Sequence, residues 1–422
     1  MSDRAPEGWN KAPLNKYVTR IRTPLDGKPE NVLTISSTAG WVDQREKWAR
    51  NMAGESLKKY TCLTRGELSY NRGNSKTFPY GCVFKLNRWS SAAVPNVYHS
   101  FRVIDGKADP DFVQYAFHGG TLDYQLRQII TSSARANGLL NITAADFFEI
   151  ELVAPPLPEQ RKIAKILTSV DEVIEKTQAQ IDKLKDLKTG MMQELLTKGV
   201  GVDGKPHTEF KDSPVGRIPK TWKVAKLESV AVIQTGAAKS SKLEGDLIEL
   251  PYLRVANVQD GYLDLKEIKT IKIPKSKSER FLLRENDVLV NEGGDFDKLG
   301  RGSIWFGQIS PCAHQNHVFA VRTNINKLSP SFFNHLSGAE YGKKYYLGCA
   351  KQTTNLASIN STQLKQFPVL LPSIEEQGRI CAMLDSVDLR ISKQESKLRH
   401  LESLKKALMQ DLLTGKVRVA ID

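Results

Sequence analysis

The chain has 422 residues, too many for one ordinary core and enough for two to four domains. Its 40% hydrophobic and 26% charged residues are an ordinary soluble globular balance, but the formal net charge of +14 is not ordinary. Together with a pI near 9.4 it points to a polyanionic partner, with nucleic acid ahead of a membrane surface. Five scattered cysteines without a Cys-x-x-Cys pair argue against a disulfide framework and for reduced thiols in a cytoplasmic protein. The first residues, "MSDRAPEGWN", lack the apolar core of a signal peptide, and no run of about 18 apolar residues predicts a membrane span.

In chain order, residues 1–154 form a mixed body in which strands dominate. "NVLTIS" and "GCVFKL" alternate or run β-branched between Gly, Pro and Asn, and "PDFVQYAFHGGTLDYQLRQII" closes the body as helix. Residues 155–199 predict one long helix. The polar, Gly- and Pro-rich stretch 198–220 reads as a linker between halves. A second body extends to residue 371, with "DVLVN" and "HVFAVR" as strands and "PSFFNHLSGAEYGKKYYL" as its closing helix. A second long helix occupies 372–416.

The second half repeats the first. "PPLPEQRKIAKILTSVDEVIEK" from Pro155 returns as "PSIEEQGRICAMLDSVDLRISK" from Pro372, so that Glu376, Gln377 and Asp388 follow Glu159, Gln160 and Asp171 by 217 positions. "LTRGELSYNRG" and "LRENDVLVNEG" place Gly73 and Gly293 220 apart, and Trp9 has a loose counterpart in Trp222. The bodies match weakly and the helices strongly, as expected of two modules doing one job on different targets.

Each helix carries a heptad seam. Ile163, Leu167, Val170, Ile174, Ile181, Leu184, Met191 and Leu195 alternate by fours and threes, with Thr177 and Lys188 in the polar seats. Ile380, Leu384, Val387, Ile391, Leu398, Leu401, Leu408 and Leu412 repeat the pattern, with Gln394 and Lys405 in those seats. Ser373-x-x-Glu376 reads as a capping box, and Gly199 and Gly415 stop the helices. Roughly 40 residues make a rod of about 60 Å. An antiparallel pair is expected to bring Thr177 near Lys405 and Lys188 near Gln394.

Catalytic motifs are missing. There is no Gly-x-x-x-x-Gly-Lys-[Ser/Thr] phosphate loop and no Gly-x-Gly-x-x-Gly opening a βαβ unit. "APPLPEQ" has Ala154 where an amino-methyltransferase site would place Asp or Asn. "CAHQNH" groups Cys312, His314 and His317, but its spacing fits no zinc pattern, and no metal is predicted.

Basic residues interleaved with Asn and Gln recur in both bodies, as DNA readers need: Arg and Lys for guanine or phosphate, Asn and Gln for adenine. The candidates in the first body are Arg65, Arg72, Asn74, Lys76, Arg88, Arg135 and Asn137. In the second they are Arg254, Asn257, Lys298, Arg301, Gln315, Asn316, Lys351 and Asn355. Lys298 and Arg301 lie in the glycine-rich "EGGDFDKLGRG", a surface loop whose amides could touch phosphate.

"PPLPEQRKIAKIL…LLTKG" and "PSIEEQGRICAML…LLTGK" resemble the repeated regions of the specificity subunit of type I restriction–modification enzymes, and the resemblance covers essentially the whole chain. It departs from an even repeat where Gly378 stands for Arg161 and Glu375 for Pro158. The resemblance implies an α+β fold: two similar mixed α/β target recognition domains, separated by two long helices in an antiparallel coiled coil, as a pseudo-two-fold repeat. The domains would be 1–154 and 200–371 (with the linker), and the spacer helices 155–199 and 372–416.

It further implies a non-catalytic subunit that reads a split target in double-stranded DNA. Its partners would be two methyltransferase and two motor-nuclease restriction subunits, with adenosylmethionine, ATP and magnesium serving those partners and no cofactor here. Three other readings compete: the DNA-reading subunit of another restriction–modification type, a reader with cryptic nuclease or methyltransferase activity, and a coiled-coil scaffold without specific DNA reading.

Overall fold

Each body is built on a four-stranded antiparallel sheet, and the two sheets share one topology. In the first the spatial order is Val18–Arg20, His99–Val103, Leu68–Asn71, Cys82–Lys85. In the second it is Ala231–Thr235, Val318–Thr323, Val288–Asn291, Gly302–Ile304. Even the register repeats: Leu68 stands opposite Phe101, and Val288 opposite Val321, each 220 positions later. Val288, Leu289 and Val290 are all fully buried, so this strand is covered on both faces, which its unbroken apolar run anticipates.

The structure is a computed structural model and describes residues 5–25, 31–48, 54–73, 75–130, 139–201, 204–239, 245–294, 296–352 and 357–421. The chain divides into two compact units, Met1–Ala179 with Glu395–Asp422, and Gln180–Gln394. Each unit therefore joins one body to half of each long helix, whereas the sequence boundaries set the helices apart from the bodies.

The closing helix of each body is two helices. Pro110–His118 is followed at Gly119–Gly120 by a break and then Asp123–Ile129, and Pro330–Gly338 by Glu340–Cys349 across an extended Ala339. Proline at the first turn loses no hydrogen bond, and Asp109 and Ser329 cap the free amides behind it. The linker stretch also holds more structure than its composition suggests, with a hairpin of Phe210–Ser213 against Gly216–Pro219.

The long helices are Leu157–Leu195 and Ile374–Leu412, 39 residues each. In both units the start of one packs with the end of the other: Ile163 and Leu167 share a core with Leu412, and Leu195 shares one with Ile380 and Leu384. The pair is antiparallel. Ile181, Val387 and Ile391 are also buried, and Val170, Ile174, Leu184, Met191, Leu398, Leu401 and Leu408 are half-buried.

The polar register differs from expectation. Lys405 pairs with Asp171 at 2.6 Å and Lys188 with Asp388 at 2.7 Å, while Thr177 donates to the Val173 carbonyl of its own helix. An ammonium gains more from a carboxylate than from a hydroxyl or an amide, and the carboxylates were within reach.

The Glu-Gln of each helix start ties the body to the rod. Gln160 accepts from the Asp109 N–H (2.9 Å) and donates to the Pro155 carbonyl (2.9 Å). Gln377 accepts from the Ser329 N–H (2.8 Å) and donates to the Lys327 (3.0 Å) and Pro372 (3.1 Å) carbonyls. Glu376 does not close the expected capping box. Its own N–H does donate to the Ser373 hydroxyl, but its carboxylate takes the Val200 N–H (3.0 Å), His207 Nε2 (2.9 Å) and Trp222 Nε1 (3.1 Å). Two donors from the supposed linker and one from Trp222, just beyond it, outweigh one backbone amide.

Candidate nucleic-acid interface

In the second unit, segments far apart in sequence are laid edge to edge. Gly293–Gly294 pairs with Ala357–Ser358, which pairs with Lys351–Gln352, so the glycine-rich loop and the "KQ" segment form one small sheet. A side chain at Gly293 would meet the Ala357 carbonyl at 2.6 Å, so the strands approach this closely only with glycine there. Beside it runs the turn Gln315–Val318, closed by the Val318 N–H on the Gln315 carbonyl (2.9 Å). The Glu292 N–H donates to His317 O and the Asn316 N–H to Ala237 O, both at 3.0 Å, joining the turn to its neighbours. The exposed side chains of this strip include Lys239, His317, Lys351 and Ser358, with Gln315, Asn316 and Lys298 half-buried.

Other predicted readers are bonded to neighbouring groups of their own unit. Asn257 is 3% exposed; its amide donates to the Asp264 and Glu267 carbonyls (2.9 Å each) and accepts from the Arg254 N–H. Arg254 reaches Glu267 at 3.5 Å, and Arg301 approaches Gln259 at 3.4 Å. Asn257 thus builds a loop and cannot face DNA as expected, because an amide folded into its own turn has no free edge. The inner ion pairs repeat too: Arg322 clamps the buried Asp287 (2.7 and 2.8 Å), as Arg102 pairs with Glu67 (3.2 Å) 220 positions earlier.

In the first unit Arg65, Lys76 and Arg88 are exposed, Arg88 over the ring of Trp89. Arg72 instead braces two loops, donating to the Val97 (2.9 Å) and Ile142 (3.3 Å) carbonyls. Asn74, Arg135, Asn137 and Asn355 lie outside the described residues.

"CAHQNH" splits between core and surface. Cys312 and His314 are buried, and burial pushes the thiol up to about 12 and the imidazole down to about 4. His314 Nδ1 is bonded to the Val318 carbonyl (2.6 Å), while His317 stands on the turn, so the three do not converge. His335, Asp385 and Asp388 do, with ligand atoms within 4.8 Å of one another. Lys188 already neutralises Asp388, and His335 bonds Asp385 at 2.7 Å, which makes the cluster a joint between helices.

With this geometry in place, similarity to known proteins decides the family. The sequence model of the type I restriction modification DNA specificity domain matches residues 93–186 and 219–402. The chain belongs to the type I restriction–modification specificity family. The type I restriction enzyme MjaVIII specificity subunit of Methanocaldococcus jannaschii is 30% identical over 299 residues, 69% of this chain and 67% of that protein. The EcoKI specificity subunit of Escherichia coli K12 is 23% identical over 399 residues, 91% of this chain and 83% of that one.

Among solved structures, the S subunit of a type I restriction–modification system from M. genitalium aligns over 98% of both chains with a TM-score of 0.58 at 14% identity. A chain from a structure of type I system assembly and conformational transition gives 0.52 at 19%, covering 98% of this chain and all of that one. At such identities these likenesses speak for the fold alone. The family's module is one of DNA specificity and not of catalysis. Among the described residues no helix is long and apolar enough to cross a membrane.

Sequence reasoning missed what Glu159, Gln160, Glu376 and Gln377 do. Their exact repetition was visible, but their bonding partners lie in the bodies and in the segments that follow each helix, up to 259 residues away.

Proposed function

We propose that this specificity subunit reads a bipartite DNA target, one half-site per body, and organises the methyltransferase and motor-nuclease subunits of a type I complex. The observation that carries the reading is the internal symmetry. Two bodies of one topology are clamped to two helices by the same Gln contacts, and the salt bridge Asp171–Lys405 recurs as Asp388–Lys188. Duplicated readers on a duplicated support suit two half-sites across an unread gap, and helices of 39 residues, about 58 Å each, suit a fixed gap.

In this reading the methyltransferase and restriction subunits are present in two copies each, and adenosylmethionine, ATP and magnesium are theirs. The net charge of +14 supplies the sequence-independent part of DNA affinity. Mapping methylated sites in a cell carrying the system tests it. A split motif with a fixed spacer is expected; a continuous palindrome would overturn it. A DNA affinity that hardly changes with salt would favour a protein-only scaffold.

A further inference from the structure

Asn316 and His317 occupy the corner of the Gln315–Val318 turn. His317 is engaged on both ring nitrogens: Nδ1 with the Glu292 carboxylate, and Nε2 with the amide nitrogen of Asn316 at 3.2 Å. A carboxylate only accepts, so in the neutral ring Nδ1 carries the proton and Nε2 is an acceptor. That acceptor takes an N–H and turns away a carbonyl, so the Asn316 amide is held in one of its two orientations.

Glu292 is fixed in turn by its main chain, whose carbonyl accepts the Ile359 N–H (2.9 Å). Beyond His317, the Asn316 amide has no partner among the described residues, which leaves its oxygen and second N–H available. The group lies at the surface, with the His317 side chain 54% exposed, and the cations Lys239 and Lys351 are exposed on the same strip.

We propose that Asn316 reads an adenine in the half-site of the second body, and that His317 and Glu292 are its positioning residues. The proposal rests on the DNA-reading function above. Adenine's major-groove edge sets the N6 donor beside the N7 acceptor, and an amide meets both at once. With one hydrogen given to His317, the oxygen faces N6 and the other hydrogen faces N7. Guanine offers two acceptors there, O6 and N7, and repels the oxygen. A pinned amide meets adenine without losing a rotamer on binding.

The test is selection from a library of randomised duplexes by the full chain in complex with its methyltransferase subunits. Asn316→Ala and the isosteric Asn316→Asp should lower the preference at one adenine by about tenfold to a hundredfold. The other positions and the other half-site should not change. Replacing that adenine with 7-deazaadenine, which lacks N7 but keeps N6, should shrink the difference between wild type and Asn316→Ala without abolishing it. Glu292→Gln and His317→Ala should weaken the same preference, at that position only.

An even loss across all positions, an unchanged selection by both Asn316 variants, or a half-site without adenine would overturn the assignment while DNA reading stands. A wild-type complex that selects no sequence would overturn the function reading as well.

Discussion

Lys405 Nζ lies 2.6 Å from Asp171 Oδ1, deep enough in the helix pair that each side chain keeps only about a quarter of its exposure. Asp171 also accepts the Tyr115 hydroxyl at 2.7 Å, so the one carboxylate joins both helices and the body. Asp171→Lys should therefore destabilise the chain, and Asp171→Lys with Lys405→Asp should restore part of the loss. A double-mutant cycle by urea denaturation should return a coupling of about 1 kcal/mol. The equivalent Asp388–Lys188 pair is more exposed, and its coupling should be smaller and more readily screened by salt.

The Gln clamps give a sharper loss. Gln377 is fully buried, and Gln377→Leu leaves the Ser329 N–H and the Lys327 carbonyl without a partner in the core. A cost of about 2–4 kcal/mol is expected, because two buried polar groups are each left desolvated without a hydrogen bond. Gln377→Glu should not rescue it, since a carboxylate cannot donate to Lys327 and Pro372. Hydrogen exchange should place the damage in the second unit. Gln160→Leu should act likewise in the first.

Acid should weaken both units within one pH window. Burial holds His99 and His314 near pKa 4, with Arg72 adding to the effect at His99. In the unfolded chain each titrates near its ordinary value of about 6.5. Between about pH 6.5 and 4 the unfolded state therefore binds protons that the folded state refuses, and stability falls as pH falls. Each histidine contributes a slope of up to about 1.4 kcal/mol per pH unit, which ends below about pH 4 where the folded state also takes its proton. Urea midpoints measured across this range should show the slope, and a flat profile would contradict it.

The helices were legible because their chemistry is periodic: one residue in three or four, from Ile163 to Leu195 and from Ile380 to Leu412, had to be apolar to be buried. The duplication was legible for the same reason, since the same seam was needed twice. The readers were not. Asn257 and Asn316 are the same residue type in similar polar surroundings, yet one is 3% exposed inside its loop and the other sits at a turn. That difference is set by backbone pairing between residues such as Gly293 and Ser358, which no local pattern announces. The polar seats failed for a related reason. Heptad spacing names who faces the seam, but the salt bridges went to Asp171 and Asp388, which stand beside it.

Glu159 and Glu376 hold the same place in the repeat, are almost wholly buried, and are satisfied by different means. Glu376 has the Trp222 indole among its donors, whereas the buried indole Nε1 of Trp9 has no hydrogen-bond partner among the described residues. Arg418 supplies what is missing, its Nε and Nη2 each 2.7 Å from the Glu159 carboxylate and its Nη1 2.7 Å from the Glu7 carbonyl. Arg418→Ala should leave a buried carboxylate with no forked donor, and the start of the first long helix should open more often. Amide exchange around residues 157–167 should quicken about tenfold or more, with the second unit unchanged. Arg418→Lys should recover only part of the protection, because an ammonium restores the charge without the two parallel bonds. Equal exchange in wild type and Arg418→Ala would contradict this role for Arg418.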